Sequence, residues 1–311
     1  MTFLSEVFTF GGAQIGGLYQ AVDEATSTEA LTAAWAAGVR RFDTAPHYGA
    51  GQSEQRLGAF LSQFPRDEYV LSTKVGRLLI DTDEDTEGAE GFFGAGRRRR
   101  VWDFSADGVR TSLAQSLDRM GLDRIDIVLM HDPDHAMDQA VGEAFPALDQ
   151  LRSEGVIASV GAGMNTVAPL VRFVAETSID TLMLAGRYTL LDQEALTELL
   201  PSCLARGVGV IAAGVFNSGL LADPKPGATY DYVEVPADIL ERARHIQRVC
   251  AEHGVPLRAA SVQFPLRHPA VTTVAVGTRT AAHVHDTVAS FEHPIPEALW
   301  DDLAEVGVAA G

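Results

Sequence analysis

The chain has 311 residues, and its 46% share of hydrophobic residues is enough for a large buried core. Its formal net charge of −18 at pH 7 argues against a nucleic-acid partner, because such a surface repels phosphates. Cys203 and Cys250 are the only cysteines, too few for a disulfide framework or a structural zinc site.

Short β-branched runs alternate with helical patterns along the chain, which is typical of βαβ units and a parallel sheet. In chain order, the predicted strands cover residues 7–12, 38–44, 68–74, 125–131, 156–162, 179–185, 207–213 and 270–276. The predicted helices cover residues 29–37, 53–63, 106–120, 138–153, 167–177, 193–206, 236–253 and 281–291. Thr26 and Glu29 predict a capping box for the first helix. Eight such units predict one closed (β/α)8 TIM barrel, with residues 1–311 as a single domain.

The alternative architecture is an open doubly wound sheet that binds a dinucleotide. It needs GxGxxG between the first strand and the first helix, and the string GGAQIGG at residues 11–17 lacks that spacing. Asp43 does end the next strand, as a ribose-binding carboxylate would, but the tyrosine motif after it is nothing a ribose contact requires. The barrel is therefore favoured.

Two predicted connections are longer than the roughly 2–6 residues usual in such units. The loop after strand 3 covers residues 76–104 and contains the run Arg97–Arg100 between glycines and acidic residues. The loop after strand 7 covers residues 214–235 and contains Tyr230 and Tyr232. Both follow strand carboxyl ends, so we expect them to shape access to the active site. The arginine run is typical of a solvated loop face, with a lid contact or a partner site as alternatives.

Four polar residues lie at or just beyond the carboxyl ends of predicted strands: Asp43, Tyr48, Lys74 and His131. In a barrel these ends meet at the catalytic mouth. A tyrosine beside a lysine and a carboxylate can exchange a proton with a carbonyl or an alcohol. Its ordinary pKa of about 10 must fall toward neutrality, and an adjacent ammonium favours the phenolate. Each residue alone has a plain structural explanation, but their joint placement favours catalysis.

The segment FDTAPHYGAGQSEQRLG resembles the D-T-A-x-x-Y-G-x-G-x-S-E-x-x-L-G signature of the aldo-keto reductases. VLSTKVG resembles the strand-three lysine motif of that family, and SLAQSLDRMGLDRIDIVLMHD resembles the helix and strand that deliver its histidine. The resemblance runs from end to end and places the family's tetrad on Asp43, Tyr48, Lys74 and His131. It implies a nicotinamide cofactor, hydride transfer at carbon and proton exchange between Tyr48 and the substrate oxygen. Asp43 would hold Lys74, and a neutral His131 would orient that oxygen.

The resemblance also implies a cofactor site in two segments. GVFNSGLL (214–221) resembles the loop that covers the pyrophosphate, where backbone N–H groups can approach phosphate oxygens. AVGTRTAAHVHDTV (275–288) resembles the segment that holds the adenosine end. The candidates in these segments are Asn217, Gly219, Leu221, Thr278, Arg279 and His283.

The residues at the positions that contact the nicotinamide in this family depart from the family pattern. The end of strand 5 reads GAGMN instead of containing Ser-Asn, so we expect Asn165 to replace that pair. The strand-six glutamine is replaced by Ala185. The aromatic residue that stacks on nicotinamide is replaced by Ala213, which leaves Phe216 or Tyr188 for that contact.

One further difference from the family pattern concerns the choice between NAD and NADP. Gly277 occupies the position where a lysine often marks a preference for the 2′-phosphate. Arg279, two residues later, can stack on adenine or reach that phosphate. We therefore expect NAD(P) as cofactor, with a modest lean to NAD.

These departures, together with the long loop after Lys74, resemble the branch that oxidises aldoses (L-fucose, D-threo-aldoses) or pyridoxal. In that direction the Tyr48 phenolate would act as base on an anomeric or hemiacetal hydroxyl, and the product would be a lactone. Sugar hydroxyls require polar partners, and Gln14, His47 and Asp132 are the candidates near the mouth.

Two alternatives remain open. A reductase of aldehydes or ketones that uses NADPH is possible because the same four residues operate in both directions. A cofactor-binding regulatory subunit is a remote alternative, and the intact tetrad argues against it.

The string HDPDHAMD (131–138) offers metal ligands, but the family that the chain resembles needs no metal, and we expect none. We expect a cytoplasmic monomer or small homo-oligomer that acts on a small molecule, without membrane contact, because no leader or span pattern is found.

Overall fold

Eight parallel strands close into a barrel whose strand order follows the chain. The computed structural model describes residues 3–231 and 233–309, so Tyr232 lies outside the described residues. The barrel strands are β1 (Phe8–Gly11), β2 (Arg41–Asp43), β3 (Val70–Val75), β4 (Ile127–His131), β5 (Ser159–Met164), β6 (Thr181–Ala185), β7 (Gly209–Ala213) and β8 (Val271–Gly277). Because β1 pairs with both β2 and β8, the sheet has no free edge, and the predicted (β/α)8 barrel is confirmed.

Helices cover the outside of the barrel. They run over Phe3–Val7, Glu24–Ala36, Gln52–Leu61, Ala106–Met120, Met137–Gln139, Phe145–Ser153, Val167–Glu176, Leu199–Arg206, Ala237–Glu252, Leu257–Gln263, Ala281–Glu292 and Glu297–Glu305. The helix after β1 begins earlier than predicted, because the side chain of Asp23 accepts from the N–H of Thr26 at 2.7 Å and caps Glu24–Ala36. The predicted capping box of Thr26 and Glu29 is therefore wrong. No helix among the described residues is long and apolar enough to cross a bilayer.

Apolar side chains fill the barrel below the mouth. Ile127, Leu129, Met183, Ile211 and Ala275 form a buried cluster inside the ring of strands, separate from the larger core between strands and helices. The strand register brings polar side chains together above this cluster. Asp43 lies opposite Gly11 and Ser72, and His131 lies opposite Gly163.

The long loop after β3 forms a hairpin. Residues Arg77–Asp81 and Arg98–Trp102 pair as antiparallel strands. These two strands were not predicted from the sequence, because their charged residues leave no regular alternation of apolar and polar residues. Between them the loop reaches the β1 loop: Leu18 pairs with Phe92, and the N–H of Tyr19 donates to the carbonyl of Gly91 at 2.8 Å. The loop after β7 contains a two-stranded sheet of Thr229–Tyr230 and Val233–Glu234.

Candidate active site

Asp43 and Lys74 form a buried ion pair at the mouth of the barrel. Lys74 Nζ lies 2.7 Å from Asp43 Oδ2 and donates to the carbonyl of Thr44 at 3.0 Å. Ser72 Oγ donates to the other carboxylate oxygen at 2.7 Å. Although burial alone would lower it, the charges of Asp43 and Tyr48 raise the pKa of Lys74 above its ordinary value. The lysine is therefore a fixed positive charge, and its Nζ lies 4.7 Å from the centroid of the Tyr48 ring.

The rest of the signature segment supports the loop that carries Tyr48. Thr44 Oγ1 donates to Ser53 Oγ at 2.9 Å. Glu54 is fully buried and accepts from Thr73 Oγ1 at 2.9 Å and from Arg119 Nε at 2.6 Å. A buried carboxylate needs such partners, since an unpaired buried charge is strongly destabilising. These residues fix the loop and do not border the cavity described below.

The electrostatics of Tyr48 differ from the expectation. Burial raises the pKa of Tyr48 above its ordinary value, and this effect is larger than the lowering by Lys74. Asp43 adds to the increase. Lys74 therefore acts in the predicted direction, but the net shift is opposite to the predicted one. The phenol remains protonated at neutral pH and becomes a base only in alkaline solution.

His131 has the properties expected of a neutral orienting group. Its ring is perpendicular to that of Tyr48, with the centroids 6.0 Å apart, and the residue is 7% exposed. Burial, together with the positive charges of Arg77 and Lys74, lowers the pKa of His131 well below its ordinary value. The ring is therefore neutral at neutral pH and can hydrogen-bond to a substrate oxygen.

These residues border a cavity of about 350 Å³. Its base contains Tyr48, Lys74 and His131. The remaining lining divides into polar residues (His47, Glu90, Asp132 and Asn165) and largely apolar ones (Ala13, Leu18, Phe92, Gly163, Met164, Met183 and Ala185). The predicted contacts His47, Asp132 and Asn165 thus border one space with Tyr48, Lys74 and His131. Another pocket, of about 500 Å³, lies at the opposite end of the strands, near Arg41 and Val70.

Gln14 does not border this cavity. A Cβ added to Gly277 would lie 3.0 Å from Gln14 Cγ, so the glutamine packs over the end of β8. The prediction of Gln14 as a substrate contact is therefore not supported, because its side chain covers the cofactor segment.

Three charged residues in or next to the cavity wall, Arg77, Glu90 and Arg100, were not predicted as substrate contacts. Arg77 Nη2 donates to Asp132 Oδ2 at 2.6 Å, and its guanidinium stacks on Trp102 at 4.0 Å from the ring centroid. Arg100 Nη2 donates to the carbonyl of His47 at 3.0 Å, and Glu90 also contacts His47. Part of the arginine run therefore makes lid contacts instead of forming a solvated face. Only the folded hairpin brings these residues to the mouth.

Buried polar atoms mark the candidate cofactor site. Thr278 Oγ1 and Asn217 Oδ1 belong to residues that are 1% and 3% exposed, and neither atom has a hydrogen-bond partner among the described residues. The same holds for Nε of Arg279, whose Nη2 donates to the carbonyl of Leu18 at 2.8 Å. An unpaired buried polar atom costs about 1–3 kcal/mol. Because a dinucleotide supplies both donors and acceptors, these two segments fit such a cofactor.

The loop after β7 offers fewer phosphate ligands than predicted. Gly214, Asn217 and Gly219 have φ of 62°, 45° and 98°, so the chain turns tightly there. The N–H groups of Gly219 and Leu221 both donate to the carbonyl of Phe216 at 3.0 Å, and that of Asn217 to Gly214 at 2.8 Å. These donors are used within the loop. The side chain of Leu221 is fully buried and its N–H is used within the loop, so the structure gives no support to Leu221 as a cofactor contact.

Two aromatic candidates have different surroundings. Tyr188 is 2% exposed and packs against Phe264 and His268, with ring centroids 5.0 and 6.1 Å away. It belongs to the core and does not border the cavity, so the predicted stacking on nicotinamide is not supported. Phe216 is partly buried, and the guanidinium of Arg258 lies 6.0 Å from its ring centroid.

Arg258 and His283 lie beside the two candidate cofactor segments. Arg258 donates to the carbonyl of Ala222 at 3.3 Å and pairs with Asp286, so it joins the loop after β7 to the helix after β8. Arg258 was not predicted as a site residue, because it lies in the helix Leu257–Gln263, which was not predicted either. His283 is exposed in the first turn of the helix Ala281–Glu292, where its N–H donates to Thr280 Oγ1 at 3.2 Å.

Solved structures share this architecture. An aldo-keto reductase from Bacillus halodurans, in its holo form, superposes with a TM-score of 0.77 at 24% identity, covering 98% of this chain and 92% of that one. A glycerol dehydrogenase from Gluconobacter oxydans superposes with a TM-score of 0.76 at 19% identity, covering 98% of this chain and 95% of that one. Identities this low show the fold alone.

Sequence comparison identifies nearer relatives. A D-threo-aldose 1-dehydrogenase from a Pseudomonas species is 45% identical, over 95% of this chain and 92% of that protein. A pyridoxal 4-dehydrogenase from Microbacterium luteolum is 38% identical, over 96% of this chain and 93% of that protein. The aldo/keto reductase family model matches residues 8–307. The protein is therefore an oxidoreductase that belongs to the aldo/keto reductase family.

Proposed function

We propose that this protein is an NAD(P)-dependent dehydrogenase that oxidises the anomeric hydroxyl of a cyclic aldose to a lactone. The observation that carries the proposal is the polar wall of the cavity, where His47, Glu90, Asp132 and Asn165 border the same space as Tyr48 and His131. A plain alkyl aldehyde offers no hydroxyl groups to the acceptors that remain in this wall. The relative named as a D-threo-aldose 1-dehydrogenase, at 45% identity, supports the same class of substrate.

The proposed mechanism assigns one task to each residue of the tetrad. Tyr48, once deprotonated, accepts the proton of the substrate hydroxyl. Lys74, held by Asp43, stabilises the phenolate, and neutral His131 orients the reacting oxygen. The bound nicotinamide supplies the hydride acceptor. Its dinucleotide would be held by Asn217, Thr278 and Arg279, with Asn165 beside the nicotinamide amide.

Two other activities have support of their own. Pyridoxal is favoured by the apolar side of the cavity, where Phe92 and Met164 can cover a flat ring, and by the 38% identical relative named as a pyridoxal 4-dehydrogenase. Reduction of an aldehyde or a ketone is favoured by the raised pKa of Tyr48, chiefly due to burial, because a phenol can donate the proton that this direction requires.

A substrate panel tests these proposals. Aldoses, including L-fucose, and pyridoxal are each supplied with NAD⁺ or NADP⁺, and reduced nicotinamide is followed by absorbance. We expect turnover with at least one aldose, rising with pH because Tyr48 must lose its proton. Oxidation of pyridoxal alone would replace the aldose proposal. Reduction of aldehydes without any oxidation would establish the reductase, and no turnover in either direction would favour a regulatory subunit.

We propose that both cofactors are accepted, with a modest lean to NAD, because Gly277 provides no cation for a 2′-phosphate. Arg279→Ala should lower kcat/KM with NADP more than with NAD. A hydrogen bond to a charged group contributes about 1.5–3 kcal/mol, which corresponds to about 10- to 150-fold, and NAD has no such phosphate.

The measurement is the NADP/NAD ratio of kcat/KM before and after the substitution. Loss of the bond from Arg279 to Leu18 should affect both cofactors, so the ratio isolates the phosphate contact. Arg242→Ala is the matched control, since this residue donates to the carbonyl of Gly307 and borders neither cofactor segment. An equal loss with both cofactors would show that Arg279 serves adenine or the β1 loop, and no loss would place it outside the site.

A further inference from the structure

The long loop after β3 places an acidic residue, Glu90, in the wall of the cavity. Glu90 has a φ of +54°, in the left-handed region that residues other than glycine seldom adopt. Gly88 and Gly91 on either side have φ of 71° and 81°, so the chain coils tightly at this point. Backbone strain of this kind concentrates at functional positions. The side chain of this strained residue is the carboxylate that borders the cavity.

Three nitrogens converge on one oxygen of this carboxylate. Oε2 of Glu90 lies 2.9 Å from His47 Nδ1, 3.5 Å from Arg100 Nε and 3.7 Å from Arg77 Nη1. Oε1 accepts no hydrogen bond from residues 3–231 or 233–309, and the side chain is 52% exposed. One oxygen is therefore held by the protein, and the other is left for a donor in the cavity.

The same contact determines which nitrogen of His47 carries the proton. Burial lowers the pKa of His47 to about 4, so the ring is neutral near pH 7 and has a single N–H. A lone pair on Nδ1 would be repelled by the carboxylate oxygen 2.9 Å away, so the proton is favoured on Nδ1. The contact is close, although it lacks the geometry of a regular hydrogen bond. Nε2 is then left as an acceptor.

The charges around Glu90 keep it ionised. Its contact with His47, and the nearby Arg100 and Arg77, lower the pKa of Glu90 below its ordinary value. Arg77 is shared with Asp132, which it contacts at 2.6 Å, so the cavity wall presents two carboxylates that are balanced by arginines. An array of fixed acceptors of this kind matches hydroxyl donors better than it matches carbonyls or other acceptors.

We infer that Glu90 is a specificity-determining and positioning residue, which offers its free oxygen to a hydroxyl beside the reacting carbon and holds His47 as a second hydroxyl acceptor. This inference rests on the proposed function and narrows its substrate class to polyhydroxylated compounds. The ring of Phe92, next to this wall, provides an apolar surface for the C–H face of a sugar ring. Substrates without neighbouring hydroxyls leave both acceptors unpaired and should react poorly.

The kinetic test compares a hydroxylated substrate with a plain one in Glu90→Gln. In the reductive direction the pair is glyceraldehyde and propanal, and in the oxidative direction the substrate is the best aldose of the panel. We expect kcat/KM for glyceraldehyde and the aldose to fall about tenfold or more, mostly through KM, because bonds to a charged group are lost. Propanal should change less than about twofold.

Glu84→Gln is the matched control. It removes the same charge from the same loop, and Glu84 is an exposed residue that does not border the cavity. Equal losses for glyceraldehyde and propanal in Glu90→Gln would overturn the specificity role, as would no loss at all. Wild-type protein that reduces glyceraldehyde in preference to propanal but oxidises no aldose would refute the proposed function and leave this inference standing.

A spectroscopic readout tests the positioning role without turnover. The ¹⁵N chemical shifts of the His47 ring, assigned by comparison with His47→Asn, should show a proton on Nδ1 in the wild-type protein. In Glu90→Gln the two neutral tautomers should both be populated, since the charge that selects one of them is gone. Identical shifts in the two proteins would show that Glu90 does not orient His47.

Discussion

Tyr48→Phe should lower kcat by about 10²–10⁴-fold and leave the affinity for the dinucleotide nearly unchanged, because loss of a general acid/base has a cost of this size. The phenol borders the cavity with His131 and contacts Lys74, whereas the candidate cofactor atoms belong to the loops after β7 and β8. The measurement combines steady-state kinetics on the best substrate of the panel with a titration of cofactor binding.

Tyr19→Phe is the matched control for this substitution. Tyr19 is a second tyrosine near the mouth, and its hydroxyl bonds to Ser218 of the loop after β7, away from the tetrad. It should retain most of the activity. If Tyr48→Phe were as active as Tyr19→Phe, Tyr48 would have no place in the mechanism. A parallel loss of cofactor binding would indicate that the ring supports the site structurally.

Lys74→Met should move the alkaline limb of the oxidation profile to higher pH. Burial already raises the pKa of Tyr48, and Lys74 opposes that increase. Without the ammonium the phenolate loses its nearest positive charge, so the pKa of Tyr48 should rise further. Each added pKa unit lowers the phenolate fraction at neutral pH about tenfold. The measurement is the pH dependence of kcat/KM for oxidation, and an unchanged limb would show that Lys74 does not tune Tyr48.

The same substitution leaves Asp43 buried without its partner. Breaking a buried pair in this way costs about 3–5 kcal/mol, so the single variant is expected to be less stable. The double variant Asp43→Asn/Lys74→Met removes both charges and should recover much of that stability. Because Asp43 itself raises the pKa of Tyr48, the alkaline limb of the double variant should be displaced less than that of Lys74→Met. A limb that still lies above that of the wild-type protein would show that the effect on the pH profile arises from the lost positive charge and not from partial unfolding.

The barrel was predictable because its determinants are local. Each strand appears in the sequence as a short apolar run, and in a parallel barrel all carboxyl ends share one face. Asp43, Lys74 and His131 each end such a run, and Tyr48 follows the first of them, so strand order alone brings them together. The ion pair of Lys74 with Asp43 at 2.7 Å agrees with that expectation.

The contacts of the long loop after β3 could not be predicted from the sequence in the same way. Arg77 and Glu90 are thirteen positions apart, and their contacts depend on how the hairpin folds back over the mouth. Nothing in the spacing of a charged, glycine-rich segment indicates which side chains face inward. The tertiary fold alone turns part of an apparently solvated arginine run toward His47.

The sequence by itself therefore determined the class of fold and pointed to a candidate tetrad and to two segments with candidate cofactor contacts, because these follow from strand periodicity and from short motifs. The tertiary structure decided which polar residues border the cavity. It packs Gln14 and Tyr188 away from the cavity, places Glu90 in its wall and pairs Arg77 with the lining residue Asp132. It also decided the protonation of Tyr48. A nearby lysine is visible in the sequence, but the stronger effect of burial depends on everything that packs around the ring.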